Sequence, residues 1–499
     1  NNLIYNLQCI HPTAATVTQG IIVNTGTSQG VISNNRIYNL FNESNSLTSD
    51  VFGIHTYFGD SWTVINNQIT LIDNYTTERS RRVGLFDDNG AANLGFYHYN
   101  SIYIGGNYDM AANISSYGIL RTVNTVVNMK NNIIFNNTTG GTLAHFTLAN
   151  TLNSAADGWL PGATDNNLLV NNNNDTLVRW GTLNLNLNDY RNISSCDISS
   201  MGTTPSAINP TNLFSNVISG DLGIITTNPE AWYIYGKGLS STVPSVNSDF
   251  NGNNRPTQVS DGASDIGSVE LSSAPSATPP TIVQNVTASG TYTFNFAGRP
   301  LGQIIVNGFS DAPFDISWKH FSGVNPPNSG AQQYSNSFDS VWVSSGTFSG
   351  TDYEIRIFSY KNELRNIADT NNIVLAKSNN GGVEWIPSPG ATDGYTPGAP
   401  GYAFATGLTT FSLFAITSSD APLPVELASF TASANRNNVD LKWTTVSEIN
   451  NSGFDIERKT FESEFWTKVS EVQGAGNSTQ TKNYNYTDRN LNTGKYRSE

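Results

Sequence analysis

Within its first 170 residues the chain repeats one short phrase six times: Asn, any residue, then an aliphatic, set in an Asn-rich, β-branched run. The copies are Asn2-Leu3-Ile4, Asn35-Arg36-Ile37, Asn67-Gln68-Ile69, Asn100-Ser101-Ile102, Asn132-Ile133-Ile134 and Asn167-Leu168-Leu169. From one Asn to the next the steps are 33, 32, 33, 32 and 35 residues, and an internal period of that size marks a solenoid or array. Helical arrays share such a period, so the residue types decide. Val31–Tyr38 and Thr63–Thr70 alternate with period two, rich in Val, Ile, Thr and Tyr and poor in strong helix formers, which predicts short strands. A second column, Gly20-Ile21, Gly53-Ile54, Gly84-Leu85 and Gly118-Ile119, recurs at steps of 33, 31 and 34. Each repeat therefore carries at least two strands and a turn.

Short strands that advance one strand spacing per turn stack equivalent positions about 4.8 Å apart. Aliphatic residues then fill a continuous interior, and each turn Asn can hydrogen-bond to the Asn one coil on. The expected fold of this part is a right-handed parallel β-helix. The Asn residues read as turn formers rather than ligands, because Asn tolerates left-handed backbone conformations.

A chain of 499 residues exceeds one core and implies two to four domains. A net charge of -14 with 25 Lys+Arg argues against nucleic acid, since phosphate neutralisation needs clustered cations. The densest basic run, Glu78-Arg79-Ser80-Arg81-Arg82, reads as a solvated loop. With 13% charged and 11% aromatic residues, the surface suits sugars and calcium better than nucleic acid or anionic lipid. No apolar run approaches the roughly 20 residues that span a bilayer. Cys9 and Cys196 lie too many coils apart for a disulfide, whose Cα atoms must come within roughly 7 Å. Both are expected to be free and buried. Asn1 opens inside a repeat and the chain stops at Tyr496-Arg497-Ser498-Glu499, so export signals and any anchor are expected outside this sequence.

Beyond Asn167 the phrase fades, as in the atypical terminal coils that cap solenoids. Then come Ser248-Asp249-Phe250-Asn251-Gly252-Asn253-Asn254-Arg255-Pro256 and Ser264-Asp265-Ile266-Gly267-Ser268-Val269-Glu270. These resemble the closing phrases of secreted bacterial parallel β-helix proteins, Asp-x-x-Gly-x-x-Arg-Pro followed by Asp-Ile-Gly-x-x-Glu. The resemblance covers residues 1–272 and implies fold and export, not a particular chemistry.

Residues 273–281, small, hydroxyl-rich and Pro-stiffened, read as a linker. In 282–420 alternating runs such as Thr291–Phe296, Phe314–Trp318, Tyr353–Phe358 and Phe411–Ile416 have no common period and are separated by Gly/Pro/Asn turns, which predicts an antiparallel β-sandwich. Its Phe321–Asn328 and Leu375–Gly382 segments are similar to those of sandwiches in comparable secreted proteins. A third unit, 421–499, opens at Leu423-Pro424-Val425-Glu426-Leu427 and continues through Trp443-Thr444-Thr445 and Asn451-Ser452-Gly453-Phe454-Asp455-Ile456-Glu457-Arg458. It resembles the fibronectin type III-like module that precedes the type IX secretion sorting domain in Bacteroidota surface proteins. The resemblance implies an extracellular or outer-surface location in a Gram-negative bacterium, and export by the type IX machinery through a sorting domain not in this sequence.

The expected architecture is all-β: a right-handed parallel β-helix followed by two β-sandwich domains. Chemistry on such a solenoid sits on one long face. Alignment on the Gly column stacks Ile22, His55, Phe86 and Leu120, then Val23, Thr56, Asp87 and Arg121, then Asn24, Tyr57, Asp88 and Thr122. His55, Tyr57, Asp87, Asp88 and Arg121 are therefore the candidate catalytic constellation. Glycoside hydrolysis needs two carboxylates about 5–9.5 Å apart, and a lyase needs a base with a cation or calcium for the enolate. Adjacent carboxylates on a strand point to opposite faces, however, and Asp87-Asp88-Asn89-Gly90 reads equally as a solvated turn. The phrases of known β-helix pectinases are absent. His98 and His145 lack metal-spaced partners and read as structural.

Trp318, Trp342 and Trp385 are candidate sugar-stacking residues in the middle sandwich, with core burial as the competing reading. The leading expectation is an exported, adhesin-like or glycan-binding surface protein with a polysaccharide or surface glycan as partner. It needs no cofactor, calcium aside, has no assigned metal site, and binds no nucleic acid. The alternatives are a polysaccharide lyase or glycoside hydrolase acting on the same face, and a structural, filament-forming protein.

Overall fold

The computed structural model describes the chain apart from residues 1, 12, 25–28, 45, 60, 73–78, 91–93, 153–157, 173–175, 206, 311, 330–333, 366, 368–371, 399, 419–426, 447, 461–465, 479, 490, 492–495 and 499. It is 54% strand and 5% helix, and the N-terminal part is a parallel β-solenoid. Each coil holds three strands. The first complete coil comprises Val17–Asn24 (sheet 1), Gln29–Ser33 (sheet 2) and Arg36–Asn42 (sheet 3). Equivalent strands of successive coils pair in parallel, and five complete turns stack in this way.

The third strand per coil arises at the Asn pair. The alternation of Val31–Tyr38 runs straight through the sequence, yet Asn34 adopts φ 55° and turns the chain from sheet 2 into sheet 3. Asn66, Tyr99, Asn131 and Asn166 repeat that corner at φ 54°, 56°, 61° and 53°.

The next residue faces inward and forms the ladder. Asn35 donates its backbone N–H (3.1 Å) and Nδ2 (2.9 Å) to Oδ1 of Asn67. Asn67 does the same to Asn100, Asn100 to Asn132, and Asn132 to Asn167. Asn167 ends the ladder on Asp197 and Ser200, donating its backbone N–H to Ser200 Oγ at 2.7 Å and its Nδ2 to Asp197 Oδ1 at 2.9 Å. Beside it Ile37, Ile69, Ile102, Ile134 and Leu169 pair in register and are fully buried. Each such side chain stabilises the fold by about 1.5–3 kcal/mol. The Gly column keeps sheet 1 close to this stack: a Cβ at Gly53 would lie 2.4 Å from Ile69 Cγ2 and 2.5 Å from the Gly84 carbonyl oxygen.

After the last coil the chain is capped by a helix, Leu187–Ser194, with Asn186 accepting from Asp189 N–H at its N-cap. Residues 207–271 then pack along the solenoid as a brace that traverses it more than once: Asp221 reaches Arg36 of the first coil, Lys237 meets Asn166 of the last, Asp249 meets Asn34 of the first, and Gly267 N–H donates to the Asn131 carbonyl. The left-handed Asn corners hold it. Asn34 Nδ2 donates to the carbonyls of Asp249 and Phe250, Asn66 to Ser248, Asn131 to Leu239 and Asn166 to Lys237. The two closing phrases latch the brace. Asp249 Oδ1 accepts the N–H of Asn251 and of Asn253, and its Oδ2 accepts that of Glu270. Arg255 lies 4.0 Å from the Tyr99 ring centroid and pairs with Glu270 at 2.6 Å. Asp265 accepts Gly236 N–H and Leu271 N–H.

The latch is expected to respond to pH. Burial, reinforced by Asp265, pushes Glu270 up to about 8, and burial pushes Asp265 up to about 6; Arg255 pulls both the other way without offsetting it. Both carboxyls bind protons more tightly folded than unfolded. Their stabilisation is therefore complete below the ordinary carboxylate range and is lost as pH rises through about 6 and then about 8. Thermal denaturation should show Glu270→Gln flattening much of the fall in Tm between about pH 5 and about pH 9. An unchanged slope would contradict this assignment.

Residues 282–418 form two antiparallel sheets that share a core. One is six-stranded, in the order Ile282–Val286, Phe314–Ser322, Ser337–Ser345, Leu413–Ser418, Ile373–Ser378 and Ile386–Pro387. The other is five-stranded, in the order Gly290–Phe296, Arg299–Asn307, Asp352–Ser359, Gly401–Leu408 and Asp393–Thr396. These sheets and the solenoid make one compact unit, Asn1–Ser418. A single hydrophobic cluster runs from Tyr103 and Phe135 on the outer face of sheet 3, through Trp232 of the brace, to Trp318 and Ile355. Residues 273–281 are docked too: Ser276 N–H donates to the Thr226 carbonyl and Trp232 Nε1 to that of Ala277.

Buried charges sit at this junction. Arg299 pairs with Glu363 at 2.9 Å and lies over Tyr360, while His320 Nδ1 meets Asp339 at 2.8 Å. Burial pushes Lys237 of the brace down to about 7. Burial alone would raise Glu363, but Arg299, His320 and Lys237 together hold it down to about 2.

Residues 419–499 form a second unit of two three-stranded antiparallel sheets. Leu441, Trp443 and Ile456 are its buried centre, and Trp443 stacks on Tyr484 at 5.6 Å. Residues 423–426 of the opening phrase lie outside the described residues. Both cysteines are free; Cys196 is buried, but Cys9, expected to be buried, is half-exposed because it lies on the first strand, with a neighbour on one side only.

Candidate functional site

Sheet 1 realises the first two rows of the Gly-column alignment. Ile22, His55, Phe86 and Leu120 pair in register, as do Val23, Thr56, Asp87 and Arg121. The third row departs from it, because a bulge after Val23 sets Asn24 opposite Phe58 rather than Tyr57.

The two rows face opposite ways. Asp87 and Arg121 point inward beside the core and form an ion pair at 3.0 Å with side chains 2% and 0% exposed. Arg121 Nη2 donates to Thr125 Oγ1 at 2.9 Å, and Asp87 accepts the N–H of Asn89. Burial raises Asp87 above the usual carboxylate range, and Arg121 pulls it back only part of the way. A polymer on the outside cannot reach either group. Of the five candidates, only His55, Tyr57 and Asp88 belong to the outer face.

His55 is 7% exposed, lies flat on Phe86 at 4.6 Å and meets Phe52 edge-on at 5.2 Å. Neither ring nitrogen has a hydrogen-bond partner. Burial holds it below the usual imidazole range, with Asp88 pulling up and Arg81 down. Asp88 is half-exposed and accepts a hydrogen bond from Thr122 Oγ1.

The same face carries a group that the alignment missed. Arg81 binds Asp50 with both ends of its guanidinium, at 2.8 and 3.1 Å, and stands 5.6 Å from the ring centroids of both Phe52 and Phe86. Beside it is a groove of about 350 Å³ lined by Asp50, Arg81, Asn113, Ser115, Tyr117 and Leu143, among others. The signal was available: Asp50 and Arg81 each stand three residues before a column Gly. The expected solvated loop at this basic run gives way at Arg81 and Arg82, which lie on the strand Arg81–Asp87.

The outer carboxylates do not form an acid pair. Asp50 aligns with Arg81, and Asp88 lies seven residues beyond it, which at about 3.3 Å per residue is roughly 20 Å along the strand. That exceeds the range for either glycosidase geometry. Among the described residues no group of three His, Cys, Asp or Glu could hold a metal, and no helix is long and apolar enough to cross a membrane.

The tryptophans divide. Trp318 is fully buried and donates to Asp339 at 2.7 Å; Trp385 is 4% exposed and donates to the Pro327 carbonyl at 2.7 Å. Neither presents a ring face to a sugar. Trp342 is half-exposed, with Lys319 Nζ 5.9 Å from its ring. His98 and His145 are tied to backbone groups, His98 to Val243 and Lys130, His145 to Gly140 and Ser116. Comparison with protein-family models, curated proteins and solved structures found no match.

Proposed function

We propose that this chain is a non-catalytic glycan-binding protein, exported to the cell surface, in which the outer face of sheet 1 receives a polysaccharide. The observation that carries this reading is the groove on the outer face of sheet 1 lined by Asp50, Arg81, Asn113, Ser115 and Tyr117. Its planar Asp50–Arg81 pair is held in place by the rings of Phe52 and Phe86, which are 3% and 7% exposed and support the groove from beneath, and fixed planar polar groups of this kind orient sugar hydroxyls. Inward burial of Asp87 and Arg121 removes two of the five candidate catalytic groups and supports binding over cleavage. Export through the type IX route rests on the sequence resemblance at 423–427, 443–445 and 451–458, and a sandwich fold for 282–418 and 427–498 on their paired antiparallel sheets. Cleavage on the same face is the second reading, favoured by one observation, the His55 ring whose two nitrogens have no hydrogen-bond partner, near Asp88.

A glycan array followed by titration calorimetry on the intact chain tests the proposal. Tyr117→Ala and Arg81→Ala should each weaken binding at this face about tenfold, the equivalent of about 1.4 kcal/mol. Failure to bind any polysaccharide or surface glycan would remove the reading.

A further inference from the structure

The five-stranded sheet of 282–418 has one buried face and one that no described element covers with core residues. Along Asp352–Ser359 and Gly401–Leu408 the inward residues Tyr353, Ile355, Ile357, Ala403 and Ala405 belong to the core cluster. The alternate residues point out, and three of them are aromatic: Phe358, Tyr402 and Phe404, all half-exposed. Phe358 pairs across the strands with Tyr402, and Arg356 with Phe404. The ring centroids lie 5.9 Å (Phe358 to Tyr402) and 6.3 Å (Tyr402 to Phe404) apart.

Isolated outward aromatics are ordinary on strands, but this group is organised. Gly394 faces Phe404 across the edge strand, and a Cβ there would lie 3.1 Å from ring atoms Cε1 and Cζ. The glycine lets the half-exposed Phe404 ring lie down over the backbone. Arg356 lies over Tyr402 at 5.1 Å, held by Glu354 at 2.5 Å and Gln303 at 3.3 Å. The result is a row of rings bordered by planar donors and acceptors whose charges cancel.

We propose that Phe358, Tyr402 and Phe404, with Arg356, Glu354 and Gln303, form a second binding site that takes a neutral polysaccharide. Sugar C–H faces stack on the rings while hydroxyls bond the polar border. Neutrality of the ligand follows from charge: Glu354 already neutralises Arg356, and the chain carries a net charge of -14, which repels acidic polymers. The site rests on the glycan-binding reading but uses a different surface from the sheet 1 groove.

The test titrates the intact chain with soluble neutral β-glucan and mannan and with an acidic uronate polymer, comparing a Tyr402→Ala/Phe404→Ala variant with a Tyr117→Ala variant. The expected result is binding of a neutral polymer that falls at least tenfold in the double variant, with unchanged Tm, and persists in Tyr117→Ala. Full neutral-polymer binding by Tyr402→Ala/Phe404→Ala would overturn this site while leaving the general reading intact. Uronate binding that is lost in Tyr402→Ala/Phe404→Ala would also overturn it. Binding of no polymer at all would overturn both. Should Tyr402→Ala/Phe404→Ala lose stability, Gly394→Val, which displaces only the Phe404 ring, supplies the same readout.

Discussion

Arg121→Met is expected to destabilise the Asn1–Ser418 unit by about 3–5 kcal/mol, because it leaves the Asp87 carboxylate buried without its cation. Urea denaturation measures the effect. The double variant Asp87→Leu/Arg121→Met should recover most of the loss, since neutral apolar residues remove the stranded charge. A catalytic role for the pair makes the opposite forecast, a chain of normal stability with altered chemistry. The inward direction of both side chains, with Thr125 accepting from the guanidinium and Trp159 beneath it, makes the pair a fold element.

The second large effect lies at the junction. Glu363→Ala should cost about 3–5 kcal/mol by stranding Arg299, whose side chain is fully buried. It should also change the shape of unfolding. With one hydrophobic cluster spanning solenoid, brace and paired sheets, Asn1–Ser418 should melt as one transition. Losing the carboxylate that faces Arg299, His320 and Lys237 should split it into two, visible by calorimetry. A single transition at an unchanged Tm would show that the junction charges do not couple the parts.

The solenoid was legible because its repeat is a physical requirement. Every coil must place one Asn against the next, so Asn35, Asn67, Asn100, Asn132 and Asn167 keep their spacing, and the register follows. The strand count was not, because alternation continues unbroken through Asn34 and only its φ of 55° makes a corner. Which of Asp87 and Asp88 faces out was equally hidden. Parity shifts at the column Gly: Val51 and Ile54, three residues apart, both lie in the interior cluster. Counting by twos across Gly53 therefore does not identify the outer face. The brace has no period, and its path along the solenoid depends on contacts more than 100 residues apart, such as Asn34 with Asp249. Its closing phrases were still recognisable, and the Arg255–Glu270 pair accounts for their acidic and basic residues. Trp318 and Trp385 show why residue type alone could not find the sugar-stacking surface. Each ring is spent on the core, while smaller aromatics on the opposite sheet face outward.

The central claim is that the outer face of sheet 1 binds without cutting. One measurement tests it directly: incubating the intact chain with pectin, alginate and neutral polysaccharides while following both complex formation and new reducing or unsaturated ends. The account predicts that, with the second site removed by Tyr402→Ala/Phe404→Ala, binding continues and depends on Arg81 and Tyr117, with no new chain ends. Cleavage that is abolished by Asp88→Asn or His55→Ala would contradict it.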